Sequence, residues 1–272
     1  MPKEVLRVAA LQLCSQDNLD ANLSTCEALA LRAAAQGARL LVLPENFAFM
    51  GSSQQRAQLA ESMNAPGPIL SWLRKIAAAS DATLIAGGMP ERSADPKRPY
   101  NTALAVAPDG QIVAHYRKMH LFDVDLADGA AYRESANTMP GDQPALVEVC
   151  GWQLGISICY DLRFPELYRA LSQMGADVFV VPAAFTLTTG KDHWHPLLRA
   201  RAIEGQSWVI AAAQWGKHPQ SRQTYGHSMV IDPWGTIVAE AADETAIIVA
   251  DLDPGVLTRV RESLPSLKHR RL

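Results

Sequence analysis

Four stretches of the chain are apolar almost without a break: residues 5–13, 39–43, 177–181 and 208–214. A strand that is apolar on both faces has no solvated side, so other layers must cover it above and below. Segments with helical spacing lie between these runs. Residues 21–36 are rich in Ala and Leu and are followed by Gly37, the residue that best tolerates a left-handed helix end. Residues 69–79 put Ile69, Leu70, Trp72, Leu73 and Ile76 on one helical face, and a strand follows over 83–86. Three hairpins punctuate the alternation. Runs 102–107 and 111–116 flank Pro108-Asp109-Gly110, runs 145–149 and 153–158 flank Gly151-Trp152, and runs 228–231 and 236–239 flank Asp232-Pro233-Trp234-Gly235. The second half adds a helix from Pro165 to Met174, a strand over 177–181 stopped by Pro182, a helix over 192–205 ended by Gly205, and a strand over 246–251. Both halves mix crossover units with hairpins. The pattern predicts an α/β chain, an α-β-β-α sandwich of two mixed sheets with outer helices, in one domain over 1–272.

Composition excludes other classes. With 272 residues and a formal charge of −3, the chain has no basic excess for nucleic acid. No run approaches the ~18 apolar residues of a membrane span. The opening Met-Pro-Lys-Glu lacks a basic region followed by an apolar stretch, so a cytoplasmic protein with reduced thiols is expected. Cys14, Cys26, Cys150 and Cys159 share no metal-like spacing and form no Cys-X-X-Cys pair, which argues against a zinc site and a thiol redox protein. Cys14, Cys26 and Cys150 read as core fillers.

Three reactive side chains follow strands. Glu45 comes after the run 40–43, Lys118 after the strand ending near Tyr116, and Cys159 after 155–158. Open α/β sheets bind ligands beyond the carboxyl ends of their strands, so an acid, an ammonium and a thiol far apart in sequence can converge. A thiol attacks as thiolate. A carboxylate can take its proton, and an ammonium can hold the oxyanion of a tetrahedral intermediate. The Tyr160 backbone N–H, in the turn after Cys159, is a second oxyanion donor. This trio suits acyl transfer from an amide. Taken singly, each member also has a plainer reading: an apolar filler for Cys159, a cap or surface acid for Glu45, and a solvated basic cluster with Arg117 and His120 for Lys118.

Three segments resemble, together and in order, the signatures of the nitrilase (carbon–nitrogen hydrolase) superfamily. They are Leu43-Pro44-Glu45, Tyr116-Arg117-Lys118-Met119-His120-Leu121, and Ile158-Cys159-Tyr160-Asp161-Leu162-Arg163-Phe164-Pro165-Glu166-Leu167. The resemblance implies a Glu45–Lys118–Cys159 triad and, through Tyr132-Arg133-Glu134-Ser135, a second glutamate, Glu134, that orients the lysine. It implies an α-β-β-α sandwich of six-stranded sheets, a homodimer or larger homo-oligomer, and chemistry that needs no metal or organic cofactor. Four further segments look like the branch of deaminated glutathione amidases: residues 134–141, 197–204, 211–214 and 225–235. That branch implies hydrolysis of an α-keto acid amide to α-ketoglutarate and cysteinylglycine. The ω-amidases, which act on α-ketoglutaramate, are the nearest rival. A true nitrilase and a partner-binding or signalling protein on the same fold are the others; the four intact site residues argue against a purely non-catalytic role.

Such a substrate carries carboxylates and needs cationic or N–H partners. Arg163 is the first candidate, with a structural ion pair as the equal alternative; Lys191 and Arg201 are weaker. Phe185 and Thr188, in the segment 184–190, and His193 just after it can wall the pocket or serve the fold. Residues 121–141 form a polar, irregular stretch of a length that is usually functional. Asp123, Asp125 and Asp128 resemble a calcium-loop fragment, but the glycine and glutamate positions do not fit. His193 and His195 flank Trp194 without the further ligands a metal needs, and His218 and His227 have no evident partner.

Overall fold

The computed structural model describes residues 3–125, 129 and 131–271. The first half runs β1 (Leu6–Gln12), α1 (Leu19–Ala35), β2 (Leu40–Leu43), α2 (Ser53–Gln58), α3 (Pro68–Ser80), β3 (Thr83–Glu91), β4 (Tyr100–Val106) and β5 (Ile112–Arg117). A short hairpin, β6 (Asp123–Asp125) and β7 (Ala131–Arg133), follows. The second half runs β8 (Ala145–Val149), β9 (Trp152–Ile156), α4 (Pro165–Gln173), β10 (Val178–Ala183), α5 (Leu187–Gly205), β11 (Trp208–Ala213), β12 (Trp215–Lys217), β13 (Gln223–Tyr225), β14 (Met229–Ile231), β15 (Ile237–Glu240), β16 (Ala246–Leu252) and α6 (Pro254–Ser263).

The strands build two six-stranded mixed sheets, ordered β16-β1-β2-β3-β4-β5 and β15-β14-β11-β10-β9-β8. Alternation along β1 explains their stacking. Val8 and Ala10 join a core cluster with Ile156, Val180 and Ile210 of the second sheet. Ala9 and Leu11 instead join Leu29 of α1 and Leu73 of α3. Successive side chains therefore serve the sheet–sheet layer and the outer helix layer in turn, which is the expected sandwich. At one end the sheets are joined directly, where Leu13 and Gln214 form a parallel bridge.

Local chemistry accounts for the element ends. Asn18 caps α1 through its side chain, and Gly37 takes φ +85° just past the end of that helix. Glu61 accepts from the backbone N–H groups of Gly67, Ile69 and Leu70 and so caps α3 from outside.

Several expectations need correction. The strand expected to stop before Pro182 runs through it to Ala183. Pairing with β9 ends at Val180, so the N–H that proline lacks has no acceptor waiting on that side. The helix expected over 192–205 begins at Leu187, capped by Thr186. Its left-handed terminus is Gln206 at φ +44°, not Gly205. Gly205 is there for space, since a Cβ would lie 2.4 Å from Phe179 Cε2. The strand expected over 83–86 continues to Glu91 through a register shift between Ala86 and Met89. Cys150 is exposed in the β8–β9 turn rather than in the core.

The stretch 121–141 is less irregular than expected, for it contains β6, β7 and a 3-10 turn over Glu134–Ala136. Its acids brace that hairpin: Asp125 pairs with Arg133 and Asp123 accepts from Ser135. Asp128 lies outside the described residues.

Candidate active site

The three strand-end residues do converge. Glu45 follows β2 through Pro44, Lys118 follows β5 directly, and Cys159 follows β9 after two residues. Lys118 Nζ donates to Glu45 Oε1 at 3.0 Å and to Glu134 Oε2 at 2.9 Å. Glu45 and the Cys159 thiol lie close enough to shift each other's proton affinity. All four line one cavity of about 340 Å³, within the size range of small-molecule sites.

Each group is held by its neighbours. Glu45 Oε1 accepts from Asn101 Nδ2 at 2.9 Å, Oε2 accepts from the Ala184 N–H at 3.0 Å, and its backbone carbonyl accepts from Gln214 Nε2. Glu134 Oε2 accepts from the Phe122 N–H at 2.7 Å. Two glycines make room for this set. A Cβ on Gly88, itself at φ +71°, would fall 2.6 Å from Asn101 Oδ1 and 2.9 Å from Glu45 Cγ. A Cβ on Gly87 would overlap Pro182 of the facing sheet, so the close approach of the sheets here requires glycine.

Cys159 sits at φ +50°, a strained conformation for a non-glycine residue. Asp161 supports it. This fully buried carboxylate accepts from the Ile158 N–H at 2.8 Å and Tyr116 Oη at 2.7 Å, and from the His120 N–H at 3.1 Å. The His120 ring also sits 2.7 Å from Asp161 and stacks on Phe164. Arg117 is bound to Glu91, so the basic cluster around Lys118 is paired rather than solvated.

Burial by itself would raise the Glu45 carboxyl, but the Lys118 charge and the hydrogen bonds it receives hold it below its ordinary value. Burial would likewise lower Lys118, yet Glu134 and Glu45 hold it well above its ordinary value. Burial and then the Glu45 charge push the Cys159 thiol well up, with Lys118 opposing. The resting set is therefore a neutral thiol beside an ionised carboxylate and an ammonium. Such a set can move a proton from sulfur to Glu45 when sulfur forms a bond to an electrophile, while Lys118 stabilises the charge that develops.

The expected binding residues divide. Tyr160, Arg163 and Phe185 line the cavity, and the Arg163 guanidinium lies 5.0 Å from the Phe185 ring centre. Thr188 and His193 are not among the lining residues. The earlier start of α5 is the reason: it turns Thr186 and Thr189 toward the cavity and leaves Thr188 exposed. His193 Nδ1 instead sits 3.2 Å from Arg163 Nη1 and supports it. Arg201 is buried and donates to the Leu162 carbonyl, so it braces the turn after Cys159. Lys191 does not line the cavity either.

The sequence reading did not single out Asn101, Asp161, Arg56 or Arg222. Asp161 carried a signal, its place two residues after the thiol. Asn101 had only its position in a strand, and nothing in the spacing of Arg56 or Arg222 linked them to the site. The histidines without evident partners have them. His218 is buried between the Ser15 carbonyl and Thr224 Oγ1. His195 and His227 both hydrogen-bond Glu240 Oε1, at 2.8 and 2.7 Å. These three form the one group of potential metal ligands among the described residues, with ligand atoms within 4.8 Å of one another. No helix among the described residues is long and apolar enough to cross a membrane.

The chain is similar to known proteins over nearly its whole length. The carbon–nitrogen hydrolase family model matches residues 7–262. A Synechocystis sp. protein named deaminated glutathione amidase is 48% identical over 265 residues, covering 96% of this chain and 97% of that protein. The C. elegans NitFhit structure superposes with a TM-score of 0.93 at 37% identity, over 100% of this chain and 66% of that one. Saccharomyces cerevisiae Nit3, a member of branch 10 of the nitrilase superfamily, gives a TM-score of 0.90 at 33% identity, over 99% and 97%.

Proposed function

The chain belongs to the carbon–nitrogen hydrolase family and acts on an amide, and we propose that its substrate is deaminated glutathione, hydrolysed to α-ketoglutarate and cysteinylglycine in metabolite repair. The observation that carries the chemistry is the convergence of Cys159, Glu45 and Lys118 in one cavity. The cavity's charge supports an anionic substrate: Arg56, Lys118, Arg133, Arg163 and Arg222 line it against two carboxylates, Glu45 and Glu134.

In the cycle, Cys159 Sγ attacks the amide carbon as Glu45 takes its proton. Lys118 and the Tyr160 N–H hold the oxyanion. Glu45 then delivers the proton to the leaving nitrogen, the C–N bond breaks, and a thioester remains on Cys159 while cysteinylglycine departs. Glu45 next takes a proton from water as its oxygen adds to the thioester carbon. The second tetrahedral intermediate collapses to α-ketoglutarate and returns the proton to sulfur. Glu134 is a positioning residue, since it acts through the Lys118 ammonium. Tyr160, Arg163 and Phe185 contact substrate. The reading includes a single catalytic domain over 1–272, a cytoplasmic setting in which thiols stay reduced, and assembly into a homodimer or larger homo-oligomer.

The test is to incubate the protein, beside a Cys159→Ala control, with deaminated glutathione and separately with α-ketoglutaramate, following α-ketoglutarate release. A strong preference for deaminated glutathione, lost in the control, is expected. Preference for α-ketoglutaramate would move the protein to ω-amidase, and activity retained by Cys159→Ala would overturn the mechanism. Acid quenching during turnover should trap an α-ketoglutaryl adduct on Cys159 by mass spectrometry.

A further inference from the structure

Two arginines in the cavity wall take no part in the cycle above. Arg56, in α2, reaches Thr138 Oγ1 through Nη1 at 3.4 Å, and its Nη2 is buried with no hydrogen-bond partner among the described residues. An unsatisfied buried guanidinium nitrogen costs stability unless a ligand meets it. The nearby acids do not fill that role: the oxygens of Glu45 and Glu134 are engaged by Lys118, Asn101, Ala184 and Phe122. Arg222 enters the same cavity from the tight turn before β13. That turn is fixed at both ends. Gln220 and Ser221 take φ near +60°, the His218 N–H donates to the Arg222 carbonyl at 2.9 Å, and His218 is itself anchored on Ser15 and Thr224. Both arginines line one cavity; burial lowers the Arg56 pKa, Glu134 and Glu45 raise it, and the charge of Arg222 adds a smaller lowering. Two guanidiniums lining one cavity, one of them with a buried N–H that has no partner among the described residues, suit an anion.

The two cationic parts of the cavity serve different reacting atoms. Arg163 lies beside the nucleophile, over the Tyr160 and Phe185 rings, and feels the Cys159 charge. Arg56 instead lies against Thr138, four residues past Glu134, and Glu134 and Glu45 act on its charge. In the proposed cycle Glu45 protonates the leaving nitrogen, so the leaving half of the substrate lies toward Glu45.

We propose that Arg56 and Arg222 form a carboxylate subsite for the leaving half of the amide, the C-terminal glycine carboxylate of deaminated glutathione, while Arg163 serves the carboxylate of the acyl half. The assignment rests on the substrate reading above. It makes these arginines the groups that distinguish a dipeptide leaving group from ammonia.

The experiment measures kcat/KM for deaminated glutathione and for its C-terminal carboxamide, in wild type, Arg56→Met, Arg222→Met and Arg163→Met. Wild type should prefer the carboxylate by about 10–100-fold, the size of a charge-assisted contact. Arg56→Met and Arg222→Met should collapse that ratio toward one, whereas Arg163→Met should lower both rates and keep it. A ratio unchanged in both Arg56→Met and Arg222→Met, or collapsed by Arg163→Met alone, would overturn the subsite. A binding arm separates this from failure of the substrate reading. Cysteinylglycine and cysteinylglycinamide are titrated calorimetrically into Cys159→Ala, with and without Arg56→Met. Tighter binding of the carboxylate that vanishes with Arg56→Met supports the subsite even if turnover is absent. Equal binding of the two dipeptides would refute it.

Discussion

Glu45, Lys118 and Cys159 leave the ends of buried strands, whereas Glu134, Arg56 and Arg222 stand on short elements at the cavity's edge. The side chains of Lys118 and Glu45 are 2% and 5% exposed, that of Glu134 17%. Helix α2 has no buried residue, and β6 and β7 are two-ended short strands with only their middle residues partly buried. The floor inherits its precision from two packed sheets, and a misplacement there would have to move a core strand. The wall is held by side-chain hydrogen bonds of its own, such as Arg133 to Asp125 and Ser135 to Asp123. The difference teaches where tolerance lies: the proposed reacting atoms stand on packed sheet ends, and the charged groups around them on short surface segments.

Breaking the floor should cost most. Lys118→Ala removes the proposed oxyanion donor, for an expected ~10²–10³ loss in kcat. It also leaves Glu45 buried beside a second carboxylate without a countercharge, so a stability loss of roughly 3–5 kcal/mol should appear in denaturant unfolding. Glu134→Gln keeps a side chain able to accept from the Phe122 N–H. It should lower kcat by about 10-fold with a smaller change in KM, the size of one weakened charge-assisted contact. A cost as large as that of Lys118→Ala would show that the wall carries catalysis equally.

Two glycine substitutions sharpen the comparison. Gly88→Ala adds a Cβ at positive φ against Asn101 and Glu45. It should destabilise by about 1–3 kcal/mol and reduce kcat as well. Gly129→Ala also sits at positive φ, +85°, but its Cβ would meet nothing within 4 Å. It should cost about 1 kcal/mol and leave kcat unaltered. Similar effects on kcat from both would erase the distinction between floor and wall.

The smallest effect expected is on pH dependence. The Glu45 carboxyl is held below its ordinary value of 4.5, so its ionised form persists through mildly acidic solution. The acidic limb of kcat/KM should lie below pH 4.5 rather than near neutrality. The same shift stabilises the fold above the unfolded-state pKa and is lost as pH falls through the lower, folded one. A limb near pH 6 to 7 would contradict an ionised Glu45 as the base.

The legible parts of this chain were local. Uninterrupted apolar runs identified β1, β2, β10 and β11, because a strand covered on both faces needs no polar alternation. Turn residues located the hairpins around Gly110, Gly151 and Gly235, all three of which take positive φ. Strand-end placement raised Glu45, Lys118 and Cys159 as candidates, and the resemblance of their three segments to the nitrilase signatures singled them out together. Boundaries were missed where a long-range contact overrode a local signal. Pro182 did not stop β10 because the neighbouring strand had already ended, and Gly205 was a packing glycine, not a helix terminator.

The sequence by itself determined the layers, the hairpins and which residue types stand at the strand ends, because these depend on burial periodicity and backbone preference over a few residues. Tertiary structure alone decided the charged and polar partners that no signature segment singled out. Asn101 between the two glutamates, Asp161 beneath the strained Cys159, and Arg56 with Arg222 on the wall of one cavity come from segments far apart in sequence. Electrostatic partnership depends on distance in space, and no spacing along the chain encodes it.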